Sequence, residues 1–108
     1  MKGMMYLDEK PYAYICSPYR GNVEANTENA RSYCRQAYDD GYVPLAPHLY
    51  FPQFLNDSNP EERAAGLVMA LELLLLCDVL IVFDDEITDG MAQEIELAKD
   101  LGIPILEQ

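Results

Sequence analysis

The segment Val79-Leu80-Ile81-Val82-Phe83 constrains the fold more than any other part of the chain. It is an unbroken apolar run, closed by Asp78 on one side and Asp84 on the other. A strand without polar alternation is buried on both faces, which is the pattern of a central strand in a parallel sheet. Such a strand needs helices above and below it. The rest of the chain must therefore supply strand and helix segments in alternation.

It does so. Met1 to Pro11 mixes Met, Lys, Asp and Glu and reads as a leader. Tyr12-Ala13-Tyr14-Ile15-Cys16 favours a strand and is stopped by Ser17-Pro18. A helical period starts at Asn22, with Val23, Thr27, Ala30, Cys34, Ala37 and Tyr38 on one stripe, Glu24 in the first turn and Gly41 as the stop. Tyr42-Val43-Pro44-Leu45 is an edge strand, because a proline cannot donate to a ladder. Ala46 to Ser58, with Pro47 and Pro52, reads as a long irregular loop. Asn59-Pro60-Glu61-Glu62 combines a cap, a first-position proline and first-turn acids, so it opens a helix that runs to about Cys77. After the central strand an acidic loop, Asp84 to Asp89, leads to a helix over Gly90–Leu101. Gly102 closes that helix, and Ile103-Pro104-Ile105-Leu106 forms a last strand. The alternation predicts a single α/β domain over 12–108. Its open parallel sheet of about four strands carries helices on both faces, a three-layer sandwich of flavodoxin or Rossmann-like type. Ligands on such sheets bind at the carboxyl ends of the strands, which singles out the loops Ser17–Asn22, Pro47–Asn59 and Asp84–Gly90.

Composition narrows the partners. Of 108 residues half are apolar, enough for an ordinary core, and seven Lys+Arg against nineteen Asp+Glu give a net charge of −12. That charge repels phosphate backbones, so the expected partner is a small molecule, with no nucleic-acid polymer and no membrane. Cys16, Cys34 and Cys77 are odd in number and form no CxxC pair, which argues against a disulfide framework or a zinc site and for a reducing cytoplasm. There is no basic segment followed by an apolar one at the start, so no secretory signal is expected. Ten of the eleven residues from Leu67 to Cys77 are apolar. A helix apolar all round must be buried on both sides, and in so small a domain the second side is another subunit. A homo-oligomer through helix 60–77 is expected.

Four groups of residues could carry chemistry. Ser17-Pro18-Tyr19-Arg20-Gly21-Asn22 is either a helix-start anion site with a forked arginine or a proline turn with a solvated one. It lacks the glycine pattern of dinucleotide folds, so no such cofactor is indicated. In Thr88-Asp89-Gly90-Met91-Ala92-Gln93-Glu94, Gly90 permits close approach at a helix start. Glu94, one turn in, is either a dipole partner or a group aimed along the strand ends. The acids Asp84, Asp85, Glu86 and Asp89 read as a solvated loop rather than a metal site. His48, the single histidine, follows the second strand and is either a hydrogen-bonded structural residue or part of a site.

Three stretches together carry a resemblance: Tyr14-Ile15-Cys16-Ser17-Pro18-Tyr19-Arg20-Gly21, the run Ala46 to Leu55 around Pro47-His48-Leu49-Tyr50, and Gly90-Met91-Ala92-Gln93-Glu94-Ile95. The chain resembles the nucleoside 2-deoxyribosyltransferase-like superfamily from about Tyr12 to Ile105. It looks most like the small bacterial and phage domains grouped with it, and is similar to 2′-deoxynucleoside 5′-phosphate N-hydrolases. The resemblance implies that Glu94, four residues after Gly90, attacks the anomeric carbon and cleaves the bond to a nucleobase by double displacement, with no cofactor or metal. Thr88 stands where free-nucleoside transferases carry an aspartate, and a hydroxyl there favours a 5′-monophosphate, as do Arg20 and the Ser17–Gly21 amides. The implied substrate-binding residues are Ser17, Tyr19, Arg20, Gly21, His48, Tyr50, Thr88, Asp89, Gly90 and Met91. One position departs from the pattern: Ala70 stands where active relatives carry the aspartate that manages the leaving base's proton. The alternative expectation is a catalytically impaired nucleotide-binding module.

Overall fold

Strands β1 (Tyr12–Cys16) and β3 (Val79–Val82) lie side by side in the middle of a four-stranded, all-parallel sheet. The computed structural model describes residues 9–108. The leader expected over Met1–Pro11 falls mostly outside the described residues. Strand β2 (Val43–Leu45) flanks β1 and β4 (Ile105–Glu107) flanks β3, giving the order β2-β1-β3-β4. Val43 N–H donates to Pro11 O at 2.9 Å, so by alternation Pro44 turns its missing donor toward the open edge of the sheet.

The strand order also decides which face each helix covers. The step from β1 to β2 runs one way across the sheet, whereas β2 to β3 and β3 to β4 run the other way. With right-handed crossovers, α1 (Val23–Asp39) must cover one face, and α2 (Pro60–Leu75) with α3 (Asp89–Leu101) the other. The core divides accordingly. Ala13, Ile15, Ile81 and Phe83 pack with Ala37, Tyr33 and Cys34 of α1. Tyr14, Cys16, Leu80 and Val82 pack with Leu74 of α2 and with Met91 and Ala98 of α3. The sheet is thus the middle of three layers. Because the chain leaves β1 and β3 in opposite directions, a crevice opens where their carboxyl ends meet.

Local signals in the sequence place the helix starts. Asn22 Oδ1 accepts from Ala25 N–H at 3.2 Å, Asn59 Oδ1 from Glu61 N–H at 2.9 Å, and Thr88 Oγ1 from Met91 N–H at 3.2 Å. Gly102, at φ 73°, closes α3 in the left-handed conformation that glycine adopts without strain.

Several expectations need correction. Helix α2 stops at Leu75, not Cys77, because Leu76 N–H already bonds Leu73 O in a tightened last turn. The segment after β2 is not irregular. It makes two 3-10 turns, Pro47–Leu49 and Phe51–Gln53, each with a proline among its first residues, where no N–H is needed. Helix α3 begins one residue early, at Asp89, and β4 lies two residues late, because Ile103 N–H is used in the helix cap with Ala98 O. On α1, Val23 and Tyr38 are exposed, and Tyr38 lies against the Arg35 guanidinium instead of the sheet. Within one chain α2 buries only one side: Ala70 and Leu74 are covered, whereas Val68 and Leu75 stay more than half exposed, at 55% and 57%. No helix among the described residues is long and apolar enough to cross a membrane.

Candidate active site

The centre of the site is a carboxylate held in the apolar layer. Glu94, on the second turn of α3, accepts a hydrogen bond from the Tyr14 hydroxyl at 2.5 Å. Tyr14 belongs to β1 and is fully buried, so its ring is fixed by the sheet with its hydroxyl directed at Glu94. A separation of this length is typical of O–H···O⁻ bonds, which are stronger than neutral ones. Burial pushes the Glu94 carboxyl above its ordinary range, while the donors Tyr14 and Cys16 pull it part of the way back. Burial, reinforced by the same carboxylate, pushes the Tyr14 hydroxyl and the Cys16 thiol up, so both keep their protons. The Cys16 thiol also lies 3.8 Å from Met91 O, tying β1 to the first turn of α3.

Glu94 opens into a cavity of about 400 Å³ at the carboxyl ends of the strands. One wall is the β1–α1 loop with Ser17, Tyr19 and Arg20, and another is the start of α3 with Thr88, Asp89, Gly90, Met91 and Gln93. A third wall is the first 3-10 turn and the segment after it, with Pro47, His48, Phe51, Pro52, Leu55 and Asp57. The fourth is α2, which contributes Glu62 and Arg63 near its start and then only Gly66, Leu67, Ala70 and Leu71.

His48 is a positioned residue. Its Nε2 lies 3.0 Å from Ser17 O, and a carbonyl only accepts, so Nε2 carries the proton. Its ring stacks on Tyr19 with centroids 4.9 Å apart and planes 23° from parallel. Burial lowers its pKa, against the raising effect of the Ser17 carbonyl, so the imidazole is held neutral. Ser17 is buried, 2% exposed, and its hydroxyl has no hydrogen-bond partner. Buried hydroxyls are normally satisfied, so this one is an orphaned polar atom beside the cavity.

Arg20 is engaged by an acid: its Nε lies 3.5 Å from Asp57 Oδ2, with both side chains largely exposed. That exposed pair contributes little to stability, and an anionic ligand can compete for the guanidinium. Arg63 brings a second guanidinium to the same cavity.

Of the residues expected to bind substrate, Ser17, Tyr19, Arg20, His48, Thr88, Asp89, Gly90 and Met91 lie on the cavity wall with Glu94. Two do not. Gly21 stands outside it and shapes the turn, at φ 103°. Tyr50 is 62% exposed and packs edge-on against Phe54, with centroids 5.3 Å apart, so it turns away from the cavity. Asp84, Asp85 and Glu86 also lie outside, and among the described residues no group of three His, Cys, Asp or Glu side chains could hold a metal ion. Tyr14, Arg63 and Asp57 are additions. Tyr14 sits between Ala13 and Ile15 in the sequence, and its hydroxyl in an otherwise apolar central strand was the available signal.

A parallel three-layer α/β domain with a half-buried glutamate at a strand-end cleft is the class that fold and site define. The chain belongs to a family described as a domain of unknown function (DUF7768), whose sequence model matches residues 11–108. No curated protein matches the sequence. Among solved structures it is similar to a 2-deoxyribosyltransferase from the psychrotolerant bacterium Bacillus psychrosaccharolyticus, a biocatalyst for the synthesis of nucleosides. The identity is 19%, the TM-score 0.73, and the match covers 89% of this chain and 70% of that one, so the two share a fold.

Proposed function

We propose that this domain cleaves the N-glycosidic bond of nucleoside 5′-monophosphates, with Glu94 as nucleophile. The observation that carries the reading is the Tyr14–Glu94 pair, a half-buried carboxylate oriented by a short hydrogen bond at the edge of a ligand-sized cavity. A carboxylate so placed can attack an anomeric carbon, and the glycosyl ester it forms is resolved by water or by a second base. The shared fold with a 2-deoxyribosyltransferase supports the same chemistry. Arg20, Arg63 and Thr88 offer the phosphate two guanidiniums and a hydroxyl. Ser17, Tyr19 and His48 offer the sugar or base one open hydrogen-bonding group and an aromatic face.

The test is release of free base from a panel of ribo- and deoxyribonucleoside 5′-monophosphates, followed by chromatography, with thermal shifts on the same panel. Glu94→Gln is expected to lose base release while nucleotide binding persists, and unchanged release in that variant would remove Glu94 from the mechanism. Arg20→Ala is expected to weaken monophosphate binding more than nucleoside binding, and equal losses would sink the phosphate assignment.

A second reading has its own observation. Ala70 is on the cavity wall, and the middle of α2 offers no proton donor there. A module that binds nucleotides without turning them over would show thermal stabilisation and no base release. Assembly belongs with the proposal too: a second copy covers Val68, Leu75 and Leu76, an apolar face on a chain whose charge of −12 makes its other surfaces repel a like copy.

A further inference from the structure

The cavity is unevenly furnished. Past its first turns, α2 presents Gly66, Leu67, Ala70 and Leu71, and Phe51 and Leu55 extend the same apolar surface. A planar ring fits such a wall, but nothing on it can hand a proton to a departing base. Several polar groups elsewhere on the cavity are already paired. His48 is neutral and gives its one N–H to Ser17 O. Asp57 pairs with Arg20, and Glu62 accepts from Asn56 N–H at 2.6 Å. The Tyr14 hydroxyl donates its hydrogen bond to Glu94. Meanwhile four carboxylates, Asp57, Glu62, Asp89 and Glu94, line the cavity against two guanidiniums, Arg20 and Arg63. The stacked Tyr19 and His48 rings add an aromatic face. Carboxylates and aromatic faces both attract a flat cation.

From this lining we infer that the preferred substrates are N-glycosides whose leaving base is already cationic, of the pyridinium or N7-alkylated purinium kind, carried on a sugar 5′-phosphate. The inference rests on the N-glycosidase reading above and names its substrate class. The chemistry needs no general acid. A Glu94 carboxylate oxygen bonds the anomeric carbon, the C–N bond breaks, and its electron pair neutralises the ring nitrogen, so the base leaves uncharged. Water then attacks the anomeric carbon, the bond to Glu94 breaks, and its carboxylate is restored with one proton released to solvent. The guanidiniums take the phosphate end and the apolar, acid-rimmed end takes the cation.

A matched pair tests this: 7-methylguanosine 5′-monophosphate against guanosine 5′-monophosphate, which share sugar and phosphate and differ in the methyl group that charges the ring. General-acid assistance is typically worth ~10²–10⁴-fold, so its absence predicts a preference of at least ~10² in kcat/KM for the charged substrate. Each turnover of the cationic substrate should also release one proton, readable with an indicator in weak buffer. Binding is read separately with the Glu94→Gln variant. Nicotinamide mononucleotide should bind more tightly than its neutral dihydro form, by roughly 2- to 30-fold for a cation over an aromatic face. Glu94-dependent cleavage of both guanosine substrates at similar kcat/KM overturns the cation preference and leaves the N-glycosidase reading standing. Cleavage of neither substrate, or cleavage indifferent to Glu94→Gln, overturns the reading and the inference together.

Discussion

Helices α2 and α3 cover the same face of the sheet and meet each other there, yet they are built to different rules. Helix α3 is amphipathic: Met91 and Ala98 are buried, Ile95 and Leu97 pack beside them, and Glu96, Lys99 and Asp100 stand exposed. Helix α2 buries Ala70 and Leu74 but leaves Leu67, Val68, Leu75 and Leu76 to solvent. The site lies between the two helices and inherits the contrast. From α3 and its N-cap come the charge and hydrogen-bonding groups, Thr88, Asp89 and Glu94. From α2, past Glu62 and Arg63 at its start, comes an apolar wall. One helix would do the chemistry, and the other shapes what the chemistry acts on.

The largest effect should fall on α3. Glu94→Gln conserves shape and an acceptor for Tyr14, yet it removes the nucleophile, so base release should fall by roughly 10³-fold or more. Chromatographic base release measures it, with thermal shift as the control for binding. A comparable loss from Leu71→Ala on α2 would break the division of labour between the helices.

The next effect separates the two sides of α2. Leu74 is fully buried in the main core cluster, so Leu74→Ala should cost about 2–5 kcal/mol in urea unfolding. Leu75→Ala, at an exposed position, should cost no more than about 0.5 kcal/mol within one chain. Light scattering sharpens this: Leu75→Asp with Leu76→Asp should bring an assembled mass down to that of one chain. An unchanged mass would mean that the exposed leucines cover nothing.

The same contrast explains what could be read in advance. The central strand and the three helices were legible because they rest on local chemistry, such as Asn59 beside Pro60 and Gly102 after Leu101, whereas the cap that Thr88 makes before Asp89 was not. The double 3-10 turn over Pro47–Gln53 was not, because prolines signal a break without saying what replaces the helix. Spacing alone leaves Glu94 open between a dipole partner and a site group; the family resemblance singles it out, and neither points to Tyr14. The Tyr14–Glu94 bond joins residues 80 apart in sequence, and only the placement of β1 under α3 brings them together. Tyr50 was drawn in by its neighbour His48, although the turn of the chain sends the two side chains in different directions. Arg63 was hidden because one guanidinium on a helix surface looks like any other until a cavity opens beside it.

That pair gives the next prediction. Burial holds the Glu94 pKa up and the Tyr14 hydroxyl opposes this, so Tyr14→Phe should raise it further. The nucleophile works deprotonated. The rising limb of kcat/KM against pH should therefore move to higher pH, and activity should be lost mainly at the acid end and recovered toward alkaline pH. A merely structural role for Tyr14 would lower the whole profile without moving the limb.

The smallest effect tests whether one hydroxyl serves both α3 and a ligand. Thr88 Oγ1 accepts from Met91 N–H, so it caps the helix that carries Glu94, and it also lines the cavity. Thr88→Ala should cost about 0.5–2 kcal/mol of stability, the usual range for a lost N-cap. Thr88→Ser keeps the cap and should restore most of that. If the hydroxyl only caps, both variants should bind nucleoside and monophosphate in the native ratio once their stability is allowed for. If it also donates its proton to a phosphate oxygen while accepting from Met91 N–H, Thr88→Ala should lower the ratio in favour of the nucleoside and Thr88→Ser should bring it back. A hydroxyl has one donor and two acceptor positions, so the two tasks are compatible in one side chain.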